Sequence, residues 1–298
     1  MAIGQIPAEE LGAGALITPE SVTGALKLAK TGRVYDLDAG RFRGMARHYA
    51  HPPFDIATYR TPRGEQNQKD LDYLRPDVNK VNYGFISELV IATVHTGAHI
   101  DALCHVTHGD RSEFYGGFSA NDYVGDNGVL KCDVTKIPPI LTRGVMVDIT
   151  ALKGVDQLPA SYAVSIDDIR QALDRQGTEL RRGDAILIHT GQMRGWPHDV
   201  RTADIEAGIT LETSRWLADQ EPVAIASDSS AVEVAPSGVE GSTQPVHIHC
   251  IIERGLYLIE WVYQEELSAD HVYEFLFICL PTKIQGATGS MVRPVAVV

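Results

Sequence analysis

An eleven-residue stretch from His95 to His105 carries three imidazoles and one carboxylate, all at odd-numbered positions. The histidines are His95, His99 and His105, and the carboxylate is that of Asp101. Neutral imidazole and carboxylate are the usual nitrogen and oxygen ligands of zinc and manganese in proteins. The residue types therefore predict a divalent metal site, for Mn²⁺ or Zn²⁺, provided that the backbone lets these side chains converge.

The spacing argues against a helix and favours a bent strand, because on a helix Asp101 would lie about 240° around from His95. On a strand all the odd positions point to one face, but His95 and His99 would lie roughly 13 Å apart at about 3.3 Å per residue. The chain must therefore bend between them, and Gly97 is where a bend costs least. We predict His95, His99 and Asp101 as metal ligands. His105 is expected beside the ion rather than on it.

Three protein ligands leave one coordination position open for water, as a catalytic metal site requires. A bound divalent ion lowers the pKa of that water and can polarise a carbonyl oxygen. The same chemistry needs a base that takes a proton and later gives it to the leaving group. We predict that His105 is this general acid/base.

The elements around the stretch are predicted from apolar runs and capping signals. Ser87–Val94 is rich in Val, Ile and Thr and predicts a strand leading straight into the stretch, whereas residues 40–80 show no period and predict a long irregular segment. After residue 140, short apolar runs alternate with helical patterns, which predicts an α/β architecture. Predicted helices cover 18–32, 165–177, 211–219 and 245–254, and predicted strands cover 34–37, 144–150, 184–189, 223–226, 256–262 and 274–280.

The composition indicates a globular, acidic chain. Of its 298 residues 44% are hydrophobic and no Pro/Ser/Gly-rich linker divides it, so one domain over residues 1–298 is expected. The formal net charge of -13 argues against non-specific binding to nucleic acid or to an anionic membrane. We expect a cytoplasmic protein, because the sequence shows no signal peptide, no apolar run near the roughly 20 residues of a membrane span and no disulfide framework.

The stretch resembles the signature of a known family. The metal-dependent cyclase family has the motif His-x-Gly-Thr-His-x-Asp-x-Pro-x-His, and this sequence has His95-Thr96-Gly97-Ala98-His99-Ile100-Asp101-Ala102-Leu103-Cys104-His105. The family includes bacterial kynurenine formamidase, isatin hydrolase, some cyclic imide hydrolases and trans-dienelactone hydrolase. The resemblance continues from about Val34 to the C-terminus through Val147-Asp148, His189-Thr190-Gly191, Asp228, Pro245-Val246-His247 and Leu258-Ile259-Glu260. It implies a swivelling β/α/β domain with a mixed sheet and flanking helices, assembled as a homodimer or homotetramer.

The resemblance also implies roles for residues outside the stretch. Within it, His95, His99 and Asp101 match three metal ligands, and His105 matches a catalytic histidine. His247 and Glu260 resemble a later His and Glu that hold a second metal in binuclear members or line the site in mononuclear ones, and His249 competes with His247 for that role. Ala98 replaces the Thr of the motif and Leu103 its Pro, and this form is closer to the isatin hydrolase branch than to the formamidase branch.

Aromatic residues supply the candidates for a substrate pocket. Phe54, Tyr83 and Trp196 are predicted as pocket walls, with core packing as the alternative for each. Cys104 is expected to be a small buried hydrophobe rather than a reactive thiol. The sequence has no Gly-x-Ser-x-Gly elbow and no Gly-x4-Gly-Lys-Ser/Thr loop, which argues against a serine hydrolase and a P-loop enzyme.

Together these observations predict a metal-dependent hydrolase of carbon–nitrogen bonds that acts on a small molecule. From the resemblance we expect it to open a cyclic amide such as isatin or a related imide, by attack of metal-bound water on the carbonyl with His105 as general acid/base. A lactone of the dienelactone type or an aryl formamide of the formylkynurenine type is the alternative substrate. A non-catalytic metal-binding protein, which would have no open coordination position, is the alternative from another class.

Overall fold

A mixed sheet of nine strands runs through the centre of the computed structural model, which describes residues 6–197 and 204–298. The strands of these residues are β1 (Val34–Asp36), β2 (Asp55–Arg60), β3 (Ser87–Ile91), β4 (His99–Asp101), β5 (Glu113–Phe114), β6 (Phe118–Ser119), β7 (Val124–Gly125), β8 (Gly128–Val129), β9 (Ile140–Asp148), β10 (Ala163–Val164), β11 (Ala185–His189), β12 (Gly208–Ile209), β13 (Ala224–Ser227), β14 (Tyr257–Glu260), β15 (Glu274–Cys279), β16 (Gly289–Met291) and β17 (Val295–Val297).

Short helices flank this sheet. The α-helices are α1 (Ala8–Leu11), α2 (Pro19–Leu26), α3 (Pro62–Gln68), α4 (Ala120–Tyr123), α5 (Ile149–Lys153), α6 (Ile166–Gln176), α7 (Leu211–Ala218), α8 (Pro245–His247) and α9 (Glu265–Ala269). The 3₁₀ turns are Gly12–Leu16, Asp72–Leu74, Tyr115–Gly117, Val134–Lys136 and Gln192–Gly195, and a π-helix covers Ile248–Glu253. None of the helices in the described ranges is long and apolar enough to cross a membrane.

The strand order in the large sheet is β1-β17-β15-β9-β11-β13-β14-β4-β16. Its middle strands β9, β11, β13 and β14 are parallel, and α6, α7 and the π-helix lie in the connections between them. Helical crossovers cover both faces of a parallel sheet, which explains why the apolar run of β11 is buried along its whole length. The predicted α/β architecture with a mixed sheet and flanking helices is confirmed.

Capping signals mark the helix boundaries as predicted, with one exception. The Ser165 side chain accepts a hydrogen bond from the backbone N–H of Asp168 at the start of α6, and Gly177 ends that helix with a φ of 65°. Thr18 caps α2, but α2 ends at Leu26, so the predicted extension to about residue 32 is wrong. The backbone N–H groups at positions 31 and 32 instead bond the carbonyl of Val298, which turns the chain towards the last strand.

The segment before the histidine stretch differs most from prediction. The predicted strand 87–94 is shorter, since β3 ends at Ile91 and pairs with β2 in a separate two-stranded ribbon rather than joining the large sheet. Residues 40–80, predicted to be irregular, contain β2 and α3, which begins after the Thr61 cap with Pro62 in its first turn. β2 pairs with β3 about 30 residues later, and such a pairing produces no hydrophobic periodicity that can be seen within residues 40–80. We refer to residues 55–91 as the arm.

Candidate metal centre

The candidate site lies where β4 pairs with β14 in antiparallel orientation. His99 stands directly opposite Glu260 in this pairing, and Asp101 follows two residues later on the same face of β4. The Nε2 atom of His99 lies 3.1 Å from Oε2 of Glu260 and 3.7 Å from Oδ1 of Asp101. The strand register thus brings a carboxylate from late in the chain to a histidine of the stretch.

His95 reaches the same place because the chain bends two residues after it, as predicted. Gly97 has a φ of 62°, a conformation that glycine adopts at little cost. The Nδ1 atom of His95 lies 2.9 Å from Oδ1 of Asp101, and its Nε2 atom lies 2.9 Å from the hydroxyl of Thr288. The ring fits only because position 289 is glycine: a Cβ atom on Gly289 would lie 2.7 Å from Cε1 of His95.

His247 enters the site from the end of α8. Its Nε2 atom lies 3.1 Å from Oε1 of Glu260 and 3.8 Å from Oδ2 of Asp101. Its Nδ1 atom lies 2.5 Å from Oε1 of Glu233, a buried carboxylate that also accepts the backbone N–H groups of Val246 and His247. A carboxylate on one ring nitrogen fixes the tautomer, so the other nitrogen presents its lone pair to the site.

His249, the alternative to His247, does not face this group. It lies two positions further along the helical segment, about 200° around the axis. Its Nδ1 atom lies 2.7 Å from Oε2 of Glu253 in the π-helix. The structure therefore brings His247, and not His249, to Glu260.

Buried polar atoms without hydrogen-bond partners mark where a cation fits. Both carboxylate oxygens of Asp101, which is 0% exposed, and Nδ1 of His95 form no hydrogen bond among the described residues, although this Nδ1 lies 2.9 Å from Oδ1 of Asp101. A buried carboxylate is costly unless it is paired or coordinates a metal. Two sets of side chains place their ligand atoms within 4.8 Å of one another: His95, His99 and Asp101, and Asp101, His247 and Glu260. These nitrogen and oxygen donors fit one divalent ion, or two that share Asp101.

The ionisation of His95 and Asp101 suits metal ligation directly, whereas His99 and His247 must lose a proton when an ion binds. Burial alone would lower the pKa of these two imidazoles, but contact of His99 with Glu260, and of His247 with Glu233 and Glu260, raises it. Burial lowers the pKa of His95 to about 4, despite the neighbouring carboxylate. Burial alone would raise the pKa of Asp101, but the imidazoles of His105 and His95 hold it well below its usual range. Neutral imidazole and ionised carboxylate are the forms that bind metal.

A small cavity opens onto the cluster, and His105 lies in its wall. The cavity has a volume of about 190 Å³. The Nε2 atom of His105 lies 3.9 Å from Oδ1 of Asp101, and its ring stacks on His95 with centroids 3.9 Å apart. The His105 side chain is 21% exposed, whereas those of the ligand candidates are almost fully buried. Besides the cluster and His105, the lining includes His48, His51, Ser230, Gln244 and Trp261.

Sequence reasoning missed His51 and Glu233. The His51 ring stacks on His95 with centroids 5.1 Å apart, and a ligand atom of His51 lies within 4.8 Å of ligand atoms of His95 and His105. Burial, followed by repulsion from His105, lowers the pKa of His51. The only signal for His51 was its residue type within a segment that has no period. Glu233 carried no local signal, because its role depends on a histidine fourteen positions later.

The predicted pocket aromatics lie outside the lining of this cavity. Trp196 packs against Trp261, with ring centroids 5.7 Å apart, and Trp261 lines the cavity in its place. Tyr83 is an exposed residue of the arm, and Phe54 lies just before β2. Contact of Phe54, Tyr83 or Trp196 with a substrate stays a prediction. Cys104 is buried, and burial raises the pKa of its thiol, as expected for a small hydrophobe.

A second cluster of ionisable groups lies at the ends of β9 and β11. The Nδ1 atom of His189 lies 3.0 Å from Oδ1 of Asp148, and its Nε2 atom lies 3.4 Å from Oε1 of Glu265. Burial alone would lower the pKa of His189, but these contacts and the charge of Asp228 raise it to about 10. Asp228 already accepts the backbone N–H and the hydroxyl of Thr190. The group is therefore a buried ion-pair network in which His189 carries the positive charge.

The family model of the Cyclase family matches residues 35–234, and the chain belongs to this family. A crystal structure described as that of a novel cyclase shares 27% identity, covering 98% of this chain and 95% of that chain with a TM-score of 0.84. Isatin hydrolase A from Ralstonia solanacearum shares 17% identity over 94% of this chain and 97% of its own, with a TM-score of 0.64. An isatin hydrolase bound to the product analogue thioisatinate shares 17% identity, covering 95% of this chain and 99% of its own, with a TM-score of 0.63.

No curated protein matches the chain. The family match confirms the predicted family, and the likeness to the isatin hydrolases is one of fold. The predicted branch of the family is therefore found among its structural neighbours.

Proposed function

We propose that this chain is a metal-dependent hydrolase that opens a small cyclic amide. The observation that carries the proposal is Asp101, a fully buried carboxylate that is shared by two sets of ligand atoms beside a cavity. A closed structural metal site would have no reason to border a cavity. The fold shared with isatin hydrolases supports the cyclic-amide class of substrate.

The ligand sets divide between the two oxygens of the shared carboxylate. His95 and His99 lie nearest to Oδ1 of Asp101, whereas His247 lies nearest to Oδ2. The first set would hold one divalent ion, and the second, completed by Glu260, would hold another. A bound divalent ion supplies a lowered pKa for water and polarisation of the substrate carbonyl.

His105 is the proton carrier in this proposal. It is the imidazole next to Asp101 that keeps its Nε2 atom near the cluster while remaining partly open to the cavity. Its ring accepts a proton as water adds to the carbonyl carbon, and returns it to the amide nitrogen as the carbon–nitrogen bond breaks. One water is consumed, and the opened ring carries a carboxylate and an amine, while the second proton of the water is released to solvent.

The shape of the cavity limits the substrate to a small molecule. Its volume of about 190 Å³ is below the ~300–1,000 Å³ of sites for drug-sized ligands. The rings of His51, His105 and Trp261 give it flat walls, which suit a planar heterocycle. These features favour a substrate of one or two fused rings over a peptide.

The test is turnover by metal-loaded protein of isatin, a cyclic imide, a dienelactone and formylkynurenine. We expect ring opening of a cyclic amide that is lost with a chelator and restored by Mn²⁺ or Zn²⁺. His271→Ala, at an exposed position, is the control and should keep full activity. Turnover confined to the lactone or the formamide would move the proposal to that substrate. Absence of any turnover with metal tightly bound would favour a non-catalytic metal protein.

A further inference from the structure

The three serines at the end of β13 differ in the contacts of their hydroxyl groups. The Oγ atoms of Ser227 and Ser229 lie 2.9 Å apart and bond each other. The Oγ atom of Ser230 is buried and forms no hydrogen bond among the described residues, although Ser230 lines the cavity beside the candidate metal ligands. A buried hydroxyl without a partner is costly, so we expect its partner to be a molecule that enters the cavity.

The backbone around Ser230 is held from two directions. Its N–H group lies 3.2 Å from both carboxyl oxygens of Glu206, which is 0% exposed. Burial raises the pKa of Glu206 to about 8, so this carboxyl is mostly uncharged at neutral pH and needs no counter-ion. The carbonyl of Ser229 accepts the N–H of Trp261, another residue of the cavity wall, at 3.0 Å. Ser230 therefore offers a hydroxyl whose position is set before a ligand binds.

Ser230 and His105 come from strands on opposite sides of Glu260. In the large sheet β14, which ends at Glu260, lies between β13 and β4. Ser230 follows the end of β13, and His105 follows the end of β4. Strands two places apart in a sheet are separated by about 10 Å. A ring that occupies the cavity next to Glu260 thus has His105 on one side and Ser230 on the other.

The position of His105 sets the direction of the substrate ring. In the proposed reaction His105 returns a proton to the amide nitrogen, so this nitrogen faces His105 and the other neighbour of the scissile carbonyl faces Ser230. That neighbour is a ring carbon. A keto oxygen on it can accept the O–H of Ser230, because a serine hydroxyl has one hydrogen to donate. A simple lactam has no oxygen there, and an imide carries its second carbonyl beyond the nitrogen.

We propose that Ser230 binds a second carbonyl oxygen of the substrate, on the ring carbon next to the scissile carbonyl, and thereby selects α-keto cyclic amides over imides and simple lactams. This inference rests on the proposed function, which gives the direction of the ring. A site built to hydrogen-bond a substrate group disfavours analogues that lack it, because its own polar group then stays unpaired. The contact exists before the carbonyl is attacked, so Ser230 affects substrate binding more than the chemical step.

The test compares two isomers of equal composition, isatin and phthalimide, with the metal-loaded enzyme. In isatin the second carbonyl adjoins the scissile one, whereas in phthalimide it lies across the nitrogen. We expect Ser230→Ala to raise KM for isatin about 10-fold, to change kcat by less than about 3-fold and to leave the inhibition constant of phthalimide unchanged. Ser230→Thr keeps the hydroxyl and should retain most of the preference. The control Ser229→Ala removes a hydroxyl that is bonded to Ser227 and should leave KM unchanged.

A second measurement separates this inference from the proposed function. Calorimetry gives the dissociation constants of both isomers for metal-loaded His105→Ala, which binds them without turnover. Adding Ser230→Ala should raise the constant for isatin about 10-fold without lowering Tm, because the Ser230 hydroxyl has no partner in the described part of the chain. Turnover of isatin with KM and dissociation constant unaltered by Ser230→Ala refutes this inference alone. The expected change in binding without opening of either ring refutes the proposed function alone.

Two further outcomes would overturn the role of Ser230. Equal weakening for isatin and phthalimide would mean a general distortion of the cavity, which acts on both isomers. Loss of the preference in Gln244→Leu and not in Ser230→Ala would assign the contact to the amide of Gln244, which also lines the cavity. Failure of the metal-loaded protein to bind either isomer would overturn this inference and the proposed substrate together.

Discussion

Oε1 of Glu233 lies 2.5 Å from Nδ1 of His247, and this contact decides that Nε2 of His247 faces the candidate metal ligands Asp101 and Glu260. The carboxylate is itself held by the backbone N–H groups of Val246 and His247, each at 3.1 Å. The ring can therefore neither flip nor exchange tautomers without breaking a buried charge-assisted contact. Glu233 orients a ligand although it does not line the cavity.

We expect Glu233→Gln to weaken metal binding to the set formed by Asp101, His247 and Glu260 by about 10–100-fold. The amide keeps the size of the side chain but removes the charge that fixes the Nδ1 proton. Calorimetric titration of metal-free protein with Zn²⁺ or Mn²⁺ measures the change. The control is Glu253→Gln, which removes an equivalent His–Glu contact at His249 that faces away from the site. Equal weakening in both variants would contradict the role of Glu233.

His105→Ala should separate catalysis from metal binding. We expect it to keep its metal and to lose about 10²–10⁴-fold in kcat, because the proton carrier is gone while the ligands remain. Asp101→Ala should lose metal and rate together, since this carboxylate is common to both ligand sets. Metal analysis of the purified variants, beside their kcat values, makes the comparison. Loss of metal from His105→Ala would show that His105 is itself a ligand.

Gly289→Ala should disturb the His95 ring. Its new Cβ atom would lie 2.7 Å from Cε1 of His95 and 2.7 Å from the carbonyl oxygen of Ile100, and that backbone atom cannot move freely. We expect about 1–3 kcal/mol of destabilisation and lower metal occupancy. Gly24→Ala is the control, because it points into open space within α2 and should stabilise by about 0.5–1 kcal/mol. Chemical denaturation and metal analysis of both variants test the difference.

The ion-pair network of His189 predicts how stability changes with pH. Its folded pKa of about 10 lies above the ordinary 6.5, so its stabilisation is fully present below pH 6.5 and is lost as pH rises through 10. We expect the free energy of unfolding to fall across that window, by at most about 1.4 kcal/mol per pH unit from this group. Urea denaturation at pH 6, 8 and 10 measures this slope.

His189→Asn should remove most of the slope between pH 6.5 and 10. His108→Asn, at an exposed position, should leave it unchanged and serves as the matched control. A slope that persists in His189→Asn would mean that other groups carry the pH dependence.

Features with a local cause were predictable from the sequence. The bend at Gly97 was predictable because His95 and His99 on a straight strand would lie too far apart to bind one ion. The ends of α6 were predictable from the capping residues Ser165 and Gly177. The parallel strands can be recognised in the sequence as short apolar runs, because they are buried on both faces. These patterns lie within one element, so neighbouring residues suffice to recognise them.

Features that join distant segments were not predictable in the same way. The pairing of β2 with β3 and the placing of Glu233 beside His247 depend on how the whole sheet closes. The sequence predicted Trp196 as a pocket wall, with core packing as the alternative, whereas Trp261, directly after Glu260, lines the cavity. His99 lies opposite Glu260 because of the register in which β4 pairs with β14. Only the resemblance to a family pointed to Glu260 as a residue of the site.

The two ligand sets are separated along the chain, and this separation orders them in time during synthesis. His95, His99 and Asp101 lie within seven residues. His247 and Glu260 follow about 150 residues later, which at 5–20 residues per second is a delay of roughly 8–30 s. The first set is translated well before β14 and β16, the two strands that pair with β4, so its side chains are held in place only after these late strands have formed. The second set is complete only when β14 has paired with β4. Metal binding to this set would therefore indicate that this part of the sheet has formed.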